Sequence, residues 1–279
     1  MRWLLYGHIW LACAVAAQIA WTDLFLLDAP LLWRYALAAA LGTFAGYGTM
    51  RLARSRGPEH ARYPNLVWYH TNRSLLTALV AVATVAACVL LWPVWPLAWR
   101  WLLPAMLFAF FYVTPFTARN GRGIGLRSIP LVKALLISII WVVITVAVPM
   151  RLDHMEHPTF TVVAYACMRL PLVLALCILF DVRDLDTDEP ALRTWPQVLG
   201  LRGAKVVAML LLLISLAFET FFLRGSERYA AAWLLLPGYL FALGLVLRAR
   251  PERDPVYYAL FVDGVLVLLP LLVGLGLLL

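Results

Sequence analysis

Five acids fall within nine residues, Asp181 to Glu189, in the stretch FDVRDLDTDE. They follow directly on an apolar run, ACMRLPLVLALCILF, in which Arg169 is the one charge. Asp181, Asp184 and Asp188 are spaced i, i+3, i+7, which predicts one shared face if the helix carrying the run continues past it. Asp186 and Arg183 would point elsewhere. Like charges stacked in this way repel unless a cation lies between them. Carboxylates that leave room for water suit Mg²⁺, and Mg²⁺ so held also binds substrate phosphates. A solvated acidic loop that ends the helix before Pro190 is the other reading, and spacing alone leaves both open.

The elements that must position these acids belong in a membrane. Hydrophobic residues make up 64% of the 279 and charged residues 14%, with a mean hydropathy of +0.86. A soluble domain of this length could not cover such a surface with polar groups. Cutting at charged and Pro/Gly-rich breaks predicts nine transmembrane helices, at 3–27, 31–50, 74–92, 97–116, 129–149, 159–180, 203–223, 229–247 and 256–278. Each is near the roughly 20 apolar residues that a crossing needs. The runs are continuous rather than alternating, which excludes a β-barrel. The expectation is an all-α polytopic bundle, one domain over 1–279, with its first helix retained rather than cleaved as a signal peptide.

Charge sets the orientation. The N-terminus and the stretches after helices two, four, six and eight hold 17 of the 23 Lys and Arg. That bias predicts a cytoplasmic N-terminus, a C-terminus on the opposite side of the cell membrane and cytoplasmic acids. It also accounts for the net charge of +8 without nucleic acid as a partner. Cys13, Cys88, Cys167 and Cys177 lie inside apolar runs with no CxxC pair and read as packing residues.

The stretch DVRDLDTDEPALRTWPQVLG resembles the second aspartate-rich motif of the UbiA-type intramembrane prenyltransferase superfamily. In that family a DxxDxxxD is followed by a Thr-x-Pro-x-x-Leu-Gly-like segment. Here Asp181, Asp184 and Asp188 precede Thr194, Pro196, Leu199 and Gly200. YVTPFTARNG is similar to the family's Tyr/Pro/Phe-plus-basic segment through Pro115, Phe116 and Arg119, with Ala118 where Lys or Arg is common. The resemblance implies a bundle with a central cavity and a prenyl diphosphate bound through Mg²⁺. It further implies that the diphosphate leaves and an allylic cation alkylates an aromatic or lipid acceptor within the bilayer. Metal and Arg/Lys would neutralise the leaving group, and aromatic faces would shelter the cation. The metal ligands so implied are Asp181, Asp184 and Asp188, with Arg119 on the diphosphate. Lys133, at the start of the fifth helix, could reach back to the diphosphate or snorkel to the interface.

One departure is large. After helix two the family expects NDxxDxxxD, whereas this chain has AGYGTMRLARSRGPE, with Met50, Arg51, Arg54 and Pro58 at the corresponding positions. Arg51 and Arg54, at i and i+3, could bind a diphosphate directly and supply the charge of the missing metal; as ordinary positive-inside residues they need no ligand. Three functions stay open: a prenyltransferase, an intramembrane terpene cyclase that captures the cation within the prenyl chain, and a non-catalytic isoprenoid-binding protein. Arg169 lies about 18 Å up the helix axis from Asp181, deep enough that its charge is either functional or paired, with Glu219 or Asp263 as partner.

Overall fold

The computed structural model describes residues 2–57, 61, 63–113, 117–119, 122–124, 131–153, 157–188, 190–222 and 233–278. A short α1 (Arg2–Leu5) precedes α2 (Ile9–Trp21), which runs on through a π-helical turn, Thr22–Leu26. Then come α3 (Trp33–Arg54), α4 (Pro64–Thr71), α5 (Arg73–Leu91) and α6 (Trp95–Val113). After α7 (Val132–Val142) a second π turn, Val143–Ala147, leads into α8 (Val148–Leu152). The chain continues as α9 (Thr159–Arg183), α10 (Trp195–Phe222) and α11 (Leu235–Arg248), and a third π segment, Tyr257–Val262, opens α12 (Asp263–Leu278). The helical architecture expected from the sequence is found, with one addition. Thr117–Arg119 and Arg122–Ile124 pair as a small antiparallel ribbon, β1 and β2.

Among the described residues, six helical segments are long and apolar enough to cross a membrane: Ile9–Leu26, Arg73–Leu91, Val132–Leu152, Thr159–Arg183, Trp195–Phe221 and Tyr257–Leu275. The remaining long helices differ for visible reasons. α3 is diluted by Gly42, Gly46, Gly48, Thr43 and Thr49, α6 by tryptophan and proline, and α11 has 14 residues. α5 shows how the apolar surface is divided. Leu76, Val80, Ala83 and Ala87 face inward at helical spacing while Val82, Val85 and Val89 are exposed. A helix apolar all round is one solvated by lipid. Its close contact with α3 needs Gly48, where a Cβ would come within 2.6 Å of Val80 Cγ2; small residues let membrane helices approach in this way.

The π turns explain much of the polar chemistry in the core. Each interrupts the i→i−4 ladder and frees backbone carbonyls, which in hydrocarbon only the chain itself can satisfy. Thr22 Oγ1 donates to Thr145 O at 2.6 Å, and Tyr35 Oη to Ile144 O at 2.7 Å. Trp10 Nε1 donates to Leu260 O at 3.0 Å. The second and third π segments are thereby knitted to α2 and α3.

Arg169 is wholly buried. Its Nη1 donates to Gln18 Oε1 at 2.6 Å, its guanidinium lies 3.9 Å from the centre of the Trp21 ring, and Nη2 stands 3.8 Å from Glu219 Oε1. Of the two partners open in the sequence, the structure pairs it with Glu219. Asp263 sits elsewhere, close enough to Arg183 to feel its charge.

Two outcomes test this core. Glu219→Ala strands a buried guanidinium and should cost about 3–5 kcal/mol, whereas Arg169→Met combined with Glu219→Leu should recover most of that loss. Thermal unfolding in detergent reads both. Thr22→Val keeps the shape but orphans the Thr145 carbonyl and should cost about 1 kcal/mol; an unchanged transition would show that the π turn finds another donor.

Candidate functional site

α9 ends at Arg183, not beyond it. Asp184 leaves helical geometry at the cap, with ψ near 5°, and the chain turns back so that Asp188 N donates to Asp184 O at 2.7 Å. The continued helical face expected for the three aspartates is therefore replaced by one helical turn followed by a tight loop. The residues after it fix this loop. Gln197 reaches back to accept from Thr194 N (2.9 Å), as the third residue of a capping box does, and its Nε2 donates to Asp188 O at 3.2 Å. Gly200, at φ +70°, breaks the path of α10, a conformation that a Cβ would strain. Within Thr194–Gly200, the Gln197 side chain is what links the segment to the acidic turn.

The acids are met by cations of the chain. Lys133, in the first turn of α7, donates to Asp188 Oδ2 at 2.6 Å and stands 3.0 Å from Asp181 Oδ1. Asp181 is 2% exposed and Asp188 6%. Arg183 makes a two-point contact with Asp184, Nε to Oδ1 at 2.7 Å and Nη2 to Oδ2 at 2.9 Å. Burial pushes the Asp184 carboxyl up, but the hydrogen bonds and charge of Arg183, with the charges of Lys133 and Arg51, outweigh it and hold the group below the ordinary carboxylate range. An open cleft of about 660 Å³ lies beside the turn, lined by Leu185, Asp186, Asp188, Arg193, Gln197 and Val198 among others.

Arg51, at the end of α3, is half-buried and within electrostatic reach of both Arg183 and Asp184. Arg54 and Arg56 are exposed. The structure therefore separates the two arginines that sequence spacing had grouped: Arg51 faces the α9 terminus and Arg54 faces outward. Arg119 lies in β1, paired in register with Arg122; its side chain, with Pro115 and Phe116, lies outside the described residues.

One residue of this neighbourhood has no role in the sequence analysis. His8 takes a left-handed conformation at the break between α1 and α2, packs its ring 5.0 Å from that of Tyr47, and feels the charges of Arg51 and Arg183. Nothing in its surroundings in sequence marks it. Asp263, a lone acid inside the last apolar run that the sequence offered as a partner for Arg169, lies instead within electrostatic reach of Arg183.

The three aspartates are the candidate ligands of a divalent ion. Among the described residues no group of three or more His, Cys, Asp or Glu is placed to hold one. Asp181 Oδ2 is buried without a hydrogen-bond partner, the one feature in favour. The other features oppose it. Mg²⁺ sits about 2.1 Å from its oxygens, so an ion bridging Asp181 and Asp188 would need the gap that Lys133 Nζ fills. At about 4 Å from the ammonium, a divalent ion would be repelled by roughly 8 kcal/mol at an effective dielectric near 20. Both oxygens of Asp184 are engaged by Arg183. As arranged, the aspartates do not fit Mg²⁺.

No protein-family model matches the sequence, and a search of curated proteins finds no match. Among solved structures, the chain is similar to the apo structure of a UbiA homologue from Aeropyrum pernix K1, with a TM-score of 0.62, covering 98% of this chain and 96% of that one. Identity is 16%, so the likeness is one of architecture and transfers no residue roles. The chain has the fold of a UbiA homologue.

Proposed function

We propose that this chain is a divergent UbiA-type prenyltransferase, a single integral-membrane domain over 1–279 with nine crossings and a cytoplasmic N-terminus. In this reading it binds a prenyl diphosphate at the cytoplasmic ends of its helices and transfers the prenyl group to a small aromatic or lipid acceptor in the bilayer. The observation that carries the reading is that Arg51 lies within electrostatic reach of Arg183 and Asp184, in a fold shared with a UbiA homologue. Helix ends that far apart in sequence come within electrostatic reach only through the bundle, and the cations they bring suit an anionic headgroup. Arg51 and Arg183 would orient the diphosphate, and the apolar interior would receive the chain and exclude water from the allylic cation. The UbiA resemblance implies Mg²⁺ for leaving-group neutralisation. Because the aspartates here are engaged by Lys133 and Arg183, no step is assigned to a metal.

A non-catalytic isoprenoid-binding role is favoured by one observation, the pairing of all three motif aspartates with resident cations. Purified protein given geranyl, farnesyl or geranylgeranyl diphosphate separates the readings. Pyrophosphate release only with an added aromatic or lipid acceptor marks the transferase, cyclic hydrocarbons without acceptor mark a cyclase, and no release with retained binding marks the non-catalytic protein.

Substitutions localise the anion. Arg51→Ala should weaken prenyl-diphosphate binding roughly ten- to a hundredfold, the loss of one charge-assisted contact of about 1.5–3 kcal/mol. Arg51→Lys should restore only part, since an ammonium lacks the two-point fork. Arg54→Ala should have a smaller effect and Arg56→Ala none. Equal effects across the three arginines, measured side by side, would remove Arg51 from the site.

A further inference from the structure

We infer that Lys133 is the resident cation of the aspartate motif: its ammonium occupies the position between Asp181 and Asp188 that a divalent ion would need, and the motif takes up no divalent metal while Lys133 is present. The inference rests on the reading above only for the identity of the anion; the occupancy argument stands on geometry.

The placement is built rather than incidental. Lys133 sits in the first turn of α7, one residue after Val132 and two after Leu131, whose φ of +62° sets the start of the helix. Leu131 N donates to Arg193 O at 3.2 Å, which ties this start to the segment following the acids. Asp188 is held from the other side, through its amide by Asp184 O at 2.7 Å and through its carbonyl by Gln197 Nε2 at 3.2 Å. Asp181 is fixed by the last turn of α9. Lysine and both carboxylates are thus each located by backbone hydrogen bonding, and the Nζ distances of 2.6 and 3.0 Å follow from it. An ammonium carries three N–H groups, so two aspartates leave it one further donor. Arg183, two-point bonded to Asp184, completes the replacement at the third acid.

A tethered cation differs from a bound one in a measurable way: deleting it should create a metal site. Full-length protein in detergent is titrated with Mn²⁺, followed by loss of the free-ion EPR signal, with no diphosphate present. Wild type should leave the signal unchanged. Lys133→Met and Lys133→Gln free Asp181 and Asp188 and should each bind Mn²⁺ at least tenfold more tightly than wild type, while Lys133→Arg, which keeps the charge, should not. Mn²⁺ binding by wild type overturns the inference, as does the absence of a gain in a variant that elutes as a folded, monodisperse species. Two neutral variants are used so that misfolding of one leaves the other to decide.

A second arm separates this inference from the proposed function. Inorganic pyrophosphate is titrated into wild type in EDTA and in Mg²⁺. Equal affinity in the two supports the resident cation. Binding only with Mg²⁺ overturns it while leaving the diphosphate reading in place. No binding in either overturns the diphosphate reading, and the Mn²⁺ titration then decides the resident cation by itself.

Discussion

The side chain of Gln18 faces two ways. Its amide nitrogen donates to Leu266 O at 2.7 Å and its oxygen accepts from Arg169 at 2.6 Å, so one residue of α2 holds α12 and α9 together. In a medium without water, an unmatched amide or guanidinium costs several kcal/mol, and each group can lower that cost only by finding a partner on another helix. The same rule places Thr22, Tyr35 and Trp10 against the carbonyls that the π turns release. Apolar packing between helices gives little orientation where the lipid is as apolar as leucine. Rotation and depth in this bundle are therefore set by a few polar residues, among them Gln18 and Trp10 on α2 and Thr22 in the π turn that continues it.

That constraint reaches the helix ends through rigid helices. α9 carries Arg169 near its middle and Asp181 near its end, twelve residues apart, so anchoring Arg169 to Gln18 also fixes where Asp181 emerges. α7 packs along α9 and presents Lys133 at the matching height. What the core does with single polar residues, the end of α9 does with charges: each of the three motif aspartates is met by a base from the chain. Asp184 has Arg183, and Asp181 and Asp188 share Lys133.

Some of this was legible in the sequence, and the division has a physical basis. Apolar runs are local properties of composition, so helices could be read directly; of the nine spans expected, six segments among the described residues are long and apolar enough to cross a membrane. The acid cluster with Thr194–Gly200 behind it pointed to the UbiA-type fold because spacing within one segment is also local. The bridge from Lys133 to Asp188 joins residues 55 positions apart, and no periodicity within either segment encodes it. The end of α9 was misjudged for a related reason. Three aspartates at i, i+3, i+7 suggest a continuing helix, but Asp184 pairs with its neighbour Arg183 at the helix end while Asp188 pairs with Lys133 on α7. Arg51 and Arg54 looked equivalent by spacing, and only the packing of α3 against its neighbours distinguishes them.

A divalent ion enters with the diphosphate and can leave with it, so charge neutralisation and product release are coupled. An ammonium on α7 stays, carries half the charge and cannot follow the leaving group. Neutralisation of a departing pyrophosphate would then fall on Arg51, Arg183 and Lys133 together, and each of the last two already holds an aspartate. To stabilise the leaving group they must exchange a carboxylate for a phosphate oxygen, which moves a negative charge back towards Asp181, Asp184 or Asp188. That exchange suits an anion whose ester bond is already weak, as in an allylic diphosphate, and it penalises ordinary phosphate esters, whose cleavage needs more charge than the site can free. Selectivity for the ester type would thus arise from the shortage of positive charge rather than from the shape of the cleft.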